Sequence, residues 1–71
     1  MSVIFGKRLK ELREEQGLSQ QKLGDTLFVT RVTISAWETN KQEPNIETLK
    51  KLCDIFEVST DYLTGYRNEP N

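Results

Sequence analysis

Residues 18–44 read LSQQKLGDTLFVTRVTISAWETNKQEP, and this stretch decides the fold. Ser19 and Thr30 are good helix N-caps, and each precedes a short segment with apolar residues at helical spacing. Small Gly24 stands on the first segment, and apolar Val29 stands in the short connection. A small residue at this place lets two helices cross closely at about 90–120°, so that the second projects from the domain. The stretch therefore predicts two short helices joined by a tight turn.

Three further helices are predicted around this pair. The first runs over 4–16, and Gly17 follows it as a residue able to take the left-handed conformation that ends helices. The fourth begins after the Asn45 cap, and a fifth turn begins after the Ser59 cap and is closed by Gly65. The apolar stripes of the first and fourth helices are Phe5, Leu9, Leu12 and Gln16, and Ile46, Leu49, Leu52, Cys53 and Phe56. No segment alternates with period two, so the sequence predicts an all-α fold, a compact five-helix bundle.

The composition predicts one small domain that depends on packing alone. Seventy-one residues are too few for two cores, and we expect a domain over 1–66 followed by a frayed polar tail over 67–71. A single cysteine, Cys53, and the lack of histidine exclude a disulfide within the monomer and a Cys/His zinc site, and we expect no cofactor. With no membrane-spanning run and no signal peptide, the chain is expected to be cytoplasmic. The net charge of −1 argues against nonspecific polyanion binding, although a specific DNA-binding protein needs cations on one face only.

The connection between the second and third helices is of the kind that a helix-turn-helix requires. Residues 18–44, followed by IETLKKLCDIFEVSTDYLTG over 46–65, resemble the Cro/CI-type helix-turn-helix family, also called the XRE family. The resemblance covers almost the whole chain, from GKRLKELRE to DYLTG, and its motifs LSQ, TRVTISAWE and VSTDYL fall in register. It implies a lambda repressor-like DNA-binding domain whose third helix enters the major groove of a pseudo-palindromic operator. It also implies a homodimer that regulates transcription, and repression is the expected effect on the regulated gene.

Three positions differ from what is common in that family. Family members often have alanine where this chain has Gly24, and glycine where it has Phe28. Asn40 also replaces a common glycine, but asparagine is the mildest such replacement because it tolerates the left-handed conformation. A residue other than glycine at positive φ carries a strain of about 1–3 kcal/mol, so either the turn at Phe28 differs or the strain is tolerated.

The outer face of the third helix carries small residues and almost no charge. Between Asp25 and Glu38 the only charged residue is Arg31, although 30% of the chain is charged. On a helical wheel Ile34 and Trp37 turn inward and leave a small, acid-free face outside, which suits a major groove about 12 Å wide. The predicted base contacts are Arg31, Val32, Thr33 and Ala36.

These side chains suit base edges in different ways. Arg31 can pair with O6 and N7 of guanine, Val32 and Ala36 can contact thymine methyl groups, and Thr33 and Ser35 can hydrogen-bond. A small, partly apolar patch also suits a protein contact, and the wheel alone does not separate the two. The helix-turn-helix register favours DNA.

Residues at both ends of the helix pair are candidates for contacts with the phosphates of the DNA backbone. The predicted phosphate contacts are Ser19, Gln20, Gln21, Thr39 and Lys41. The contact of Gln20 is implied by the family resemblance, whereas Lys41 could instead be a solvated cation that complements the helix dipole. Arg13 and Glu38 resemble a family ion pair between the first and third helices, and the alternative is two independent surface charges.

The sequence contains few of the side-chain combinations that catalysis requires. Without histidine there is no Ser/His or Cys/His pair, and we expect no enzyme and no small-molecule substrate. The real alternative to a DNA-binding regulator is a protein-interaction module on the same fold, such as an antitoxin or an anti-repressor partner. We expect the homodimer contact to be formed by the apolar and aromatic residues near the C-terminus, Tyr62, Leu63 and Tyr66.

Overall fold

A computed structural model describes residues 4–68, which form five helices and no strand. The helices are α1 (Ile4–Glu15), α2 (Gln20–Leu27), α3 (Arg31–Glu38), α4 (Ile46–Phe56) and α5 (Thr60–Leu63). The all-α prediction and the five helices are confirmed, with limits within one or two residues of those expected. The ends of the predicted domain and tail, 1–3 and 69–71, lie outside the described residues.

Four helices begin at a side-chain cap that the sequence predicted. The backbone N–H three residues further on donates to each cap at 2.8–3.2 Å. The caps are Ser19, Thr30, Asn45 and Ser59, and all four have extended backbone angles. Each cap satisfies an amide that the first turn of a helix leaves without a partner, and this fixes the residue at which the helix starts.

All five helices end with a residue in the left-handed conformation. These residues are Gly17, Phe28, Asn40, Glu57 and Gly65, with φ between 54° and 87°. At each end, the amide of the following residue donates back to a carbonyl five residues earlier, as in the bond from Val29 to Gly24 at 2.9 Å. This is the Schellman arrangement, which satisfies the last carbonyls of a helix. The turn at Phe28 therefore keeps the usual geometry and tolerates the strain of a side chain there.

The core lies where all five helices meet. It consists of Phe5, Leu9, Leu23, Leu27, Ile34, Trp37, Leu49, Leu52, Cys53, Phe56 and Leu63. The predicted core positions of Trp37, Cys53 and Phe56 are thus confirmed. Three stripe or contact predictions were wrong. Gln16 is exposed, because it follows the last turn of α1, and Ile46 is 72% exposed, because it sits in the first turn of α4. Leu63 is fully buried and so cannot contact a partner subunit.

Two glycines allow helices to approach backbone to backbone. A Cβ on Gly24 would lie 2.7 Å from the carbonyl oxygen of Val29, in the turn that follows α2. A Cβ on Gly6 would lie 2.8 Å from the carbonyl oxygen of Trp37. Real Cβ atoms need about 3.5 Å, so each glycine sets a close crossing, the first of α2 with the turn and the second of α1 with α3. Together these crossings hold α3 on the surface of the domain.

Candidate nucleic-acid interface

The outer face of α3 lines a surface groove with a volume of about 340 Å³. Its lining residues are Gln20, Arg31, Val32, Ser35, Ala36, Thr39 and Lys41. We call these seven residues the α3 groove. Two of them, Arg31 and Lys41, carry positive charge and none is acidic. A groove with only positive charge on its walls attracts a polyanion even though the whole chain has a net charge of −1.

Three of the four predicted base contacts lie in the α3 groove. Arg31 is exposed on the first turn of α3, and Val32 beside it is 70% exposed. Ala36 is half-buried one turn further along and has only a methyl side chain. Thr33 is not among the lining residues. Its hydroxyl lies 3.2 Å from that of Thr30, and this places it with the N-cap.

The predicted phosphate contacts divide in the same way. Gln20, Thr39 and Lys41 line the α3 groove, whereas Ser19 and Gln21 do not. Ser19 accepts the hydrogen bond from the amide of Lys22 as the cap of α2. Gln21 donates its side-chain amide to the carboxylate of Asp25 at 2.9 Å, on the exposed side of the same helix.

Thr39 and Lys41 follow the C-terminal end of α3. The Thr39 hydroxyl donates its one hydrogen to the carbonyl of Ser35 at 2.9 Å, so its oxygen is left as an acceptor. The backbone amide of Lys41 donates to the carbonyl of Ala36 at 2.8 Å, which anchors the backbone and leaves the ammonium group free to reach solvent.

Arg13 and Glu38 form a buried pair between α1 and α3. Arg13 Nε donates to Glu38 Oε2 at 2.6 Å and Nη2 donates to Oε1 at 3.2 Å, a two-point contact of the strong kind. Arg13 Nη1 donates further to the carbonyl of Leu18 at 2.8 Å. The hydrogen bond to Glu38 raises the pKa of the Arg13 guanidinium, which more than offsets the lowering by burial. The structure thus brings the two predicted partners together and excludes two independent surface charges.

Gln20 is joined to this pair. Its Nε2 donates to Glu38 Oε1 at 3.1 Å, across 18 residues of sequence. Sequence reasoning missed this bond. Ser35, named from the sequence as able to hydrogen-bond but not counted among the four base contacts, lines the groove. No sequence signal points to the Gln20 bond, because Gln20 and Glu38 meet only once α2 and α3 cross.

A second side-chain network fixes the end of α5 to α1. Arg8 Nη1 donates to the carbonyls of Tyr62 at 2.5 Å and Arg67 at 2.6 Å, and its guanidinium stacks 4.2 Å from the centre of the Tyr62 ring. Arg8 also donates to the Asn68 side chain at 3.1 Å. The part of the predicted tail that the structure describes, Arg67 and Asn68, therefore packs on α1.

Among residues 4–68 we find neither a metal site nor a reactive thiol. No group of three metal-ligating side chains of the kinds Cys, Asp or Glu comes together there. Cys53 is buried, and desolvation raises the pKa of its thiol, which makes it unreactive. None of the helices described is long and apolar enough to cross a membrane.

Comparison with known proteins gives the same picture. A family model described as helix-turn-helix matches residues 9–63. The SPbeta prophage-derived HTH-type transcriptional regulator YonR of Bacillus subtilis (strain 168) is 47% identical over 60 residues, which are 84% of this chain and 56% of that protein. The chain spans about half the length of several curated relatives that it matches.

Two solved structures share the arrangement of the helices. The P22 c2 repressor protein, in a crystal structure with synthetic operator 9T in the presence of Tl⁺, superposes with a TM-score of 0.79 and 37% identity. That match covers 84% of this chain and 91% of the repressor chain. The N-terminal DNA-binding domain of SinR from Bacillus subtilis also gives a TM-score of 0.79, with 30% identity over 96% of this chain and 100% of that one.

Proposed function

This chain belongs to the helix-turn-helix family, and from that premise we propose that it is a sequence-specific DNA-binding transcriptional regulator acting as a repressor. In this proposal α3 enters the major groove of double-stranded DNA, and residues 1–66 form the DNA-binding domain. The observation that carries the proposal is the α3 groove, which has two cations and no acid on an exposed helix face. Related proteins with this fold are named as transcriptional regulators, and one of them is a repressor in complex with a synthetic operator. A cytoplasmic location stays a prediction from the sequence.

Within the α3 groove we assign base reading to the first turn of α3. In a helix-turn-helix the N-terminal residues of the reading helix meet base edges, and Arg31 is the first residue of α3. Its guanidinium can donate two parallel hydrogen bonds to O6 and N7 of guanine. Val32 and Ala36 stand on the same exposed face and are suited to the methyl group of a neighbouring thymine. Thr33 does not line the α3 groove, so its base contact stays a prediction.

Phosphate contacts are assigned to the two ends of the groove. Gln20 and Lys41 present an amide and an ammonium group there. The hydroxyl of Thr39 also lies there, but a phosphate contact requires it to turn its hydrogen away from Ser35. For Ser19 and Gln21 the contact stays a prediction, since neither side chain lines the α3 groove.

A homodimer is part of the proposal, because one reading helix contacts few base pairs and rarely supplies operator affinity alone. Tyr66 is 79% exposed, and it is the main apolar contact left for a partner subunit after Leu63 is assigned to the core. Half-sites should then lie about 34–36 Å apart on one face of the duplex. Footprinting should show two protected half-sites related by dyad symmetry, and a single undivided site would contradict the dimer.

The function is tested by selecting bound sequences from random DNA and titrating the selected site with salt. A DNA-binding protein should lose affinity log-linearly with salt, with a slope near −0.9 per phosphate contacted. A protein-interaction module on the same fold that does not bind DNA would select no sequence.

Arg31→Ala then separates base reading from phosphate contact. We expect loss of preference at one operator position, worth roughly 1–3 kcal/mol. The matched control is Lys10→Ala, which removes an exposed cation on α1 outside the α3 groove. If Arg31→Ala weakens operator and scrambled DNA by the same factor, and reduces the salt slope by about one, Arg31 contacts a phosphate instead.

A further inference from the structure

We propose that Glu38 is a positioning residue for DNA binding, which holds the side-chain amide of Gln20 in one orientation so that its second N–H faces the DNA backbone. This inference rests on the proposed function and adds to it a residue that lies behind the α3 groove. Glu38 itself touches no DNA in this account and acts only through Gln20.

The carboxylate of Glu38 is buried and fully engaged. Its side chain is 3% exposed. It accepts two hydrogen bonds from Arg13 and one from Gln20 Nε2, so three donors from α1 and α2 converge on the last residue of α3. Arg13 also donates to the carbonyl of Leu18, just before α2 begins. The orientation of this carboxylate is therefore set by the packing of three elements.

The chemistry of a carboxylate decides which way the amide of Gln20 turns. An ionised carboxylate only accepts hydrogen bonds, so Gln20 must direct its nitrogen, and not its oxygen, towards Glu38. One N–H is used in this bond, and the second N–H remains at the edge of the groove that Gln20 lines. A phosphate oxygen requires a donor, and this fixed N–H is one. Because the side chain is ordered before DNA arrives, binding costs less rotamer entropy.

The neighbouring glutamine shows that this arrangement is particular to Gln20. The amide of Gln21 donates to Asp25, which is four residues later on the same helix and exposed. It has no bond to α3. Of the two glutamines that begin α2, only Gln20 is tied to the reading helix.

The pair with Arg13 also removes an electrostatic conflict. Glu38 is an acid next to a groove proposed to bind phosphates, and an unpaired carboxylate there would repel them. The guanidinium of Arg13 lies 2.6 Å from it and neutralises it within the domain. Glu38 can therefore orient a phosphate contact without opposing it.

A double-mutant cycle on DNA affinity tests the inference. In Glu38→Gln the shorter of the two Arg13 bonds, from Nε at 2.6 Å, takes the new amide oxygen at the Oε2 position. The new NH₂ then stands at the Oε1 position, where it can accept neither from Arg13 Nη2 nor from Gln20, so the Gln20 amide must reverse. We expect Gln20→Ala and Glu38→Gln each to weaken operator binding by about two- to tenfold, as for a lost hydrogen bond. In the Gln20→Ala background, Glu38→Gln should have no further effect on affinity. An equal loss in both backgrounds would mean a purely structural role and would overturn the inference.

Nuclear magnetic resonance on the unmodified chain gives a readout that does not depend on whether Glu38→Gln folds. One Nε2 proton of Gln20 should exchange slowly with solvent and should stay protected when operator is added, while the other proton shifts. The amide of exposed Gln16 provides the unprotected reference. Two Gln20 protons that exchange as fast as those of Gln16, or protection that is lost on binding, would overturn the inference alone. If no resonance of α3 shifts with DNA, the proposed function fails first and the inference falls with it.

Discussion

The substitution Gly6→Ala should destabilise the domain where α1 meets α3. An added Cβ would lie 2.7 Å from the carbonyl carbon of Glu38 and 2.8 Å from the carbonyl oxygen of Trp37, with the Glu38 carbonyl oxygen closer still. These are backbone atoms, so no side chain can swing away. With contacts normally near 3.5 Å, the two helices must separate by roughly half an ångström or more.

Three effects set the size of the change in the free energy of unfolding. Overpacking of this kind costs about 1–3 kcal/mol. The separation also stretches the hydrogen bond from the Gly6 amide to Asn40 Oδ1, now 3.2 Å, which is worth about 1 kcal/mol. Alanine recovers about 1 kcal/mol through its better helix propensity. The net loss is about 1–3 kcal/mol, which for a domain of this size lowers Tm by roughly 5–20 °C.

Urea unfolding followed by circular dichroism measures this loss, and Lys7→Ala is the matched control. Lys7 is the next residue on α1 and is exposed, so its replacement should change the free energy of unfolding by no more than about 0.5 kcal/mol. Operator affinity measured on the folded variant should also fall, because the shift falls on the last turn of α3. A Gly6→Ala protein at least as stable as the parent would show that the crossing of α1 and α3 is not as close as described.

Three further outcomes follow from the described contacts. Arg13→Met should cost about 3–5 kcal/mol, because it leaves the Glu38 carboxylate buried and unpaired, and a double-mutant cycle with Glu38→Leu should give a clearly non-zero coupling energy. Phe28→Gly should be about 1 kcal/mol more stable than Phe28→Ala, because both lose a ring that is 94% exposed and only glycine relieves the strain at φ 60°; equal stabilities would contradict this. Cys53 should react with thiol reagents only on unfolding. Since desolvation raises the pKa of its thiol, its contribution to stability should be complete below about pH 8.5 and decline above it, a decline that Cys53→Ala should remove.

Local signals in the sequence account for most of the fold. The caps Ser19, Thr30, Asn45 and Ser59 bind backbone amides three residues away, so their effect can be read without any tertiary information. Apolar spacing likewise gives the inner face of each helix, and it placed Trp37 and Cys53 correctly in the core. It failed at helix ends, where Gln16 and Ile46 fit the period but lie beyond the reach of the core.

The sequence by itself therefore determined the five helices, their limits and the acid-free outer face of α3, because caps and helical periodicity act over three or four residues. Only the tertiary structure decided that the amide of Gln20 is bound to Glu38 rather than free, and that Thr33 belongs to a cap rather than to the α3 groove. It also decided that Phe28 and Glu57 take the left-handed conformation without being glycine or asparagine. The bond from Gln20 to Glu38 joins residues far apart in sequence, and the strain at Phe28 and Glu57 needs the packing of the surrounding helices to hold it, so no local pattern records either of them.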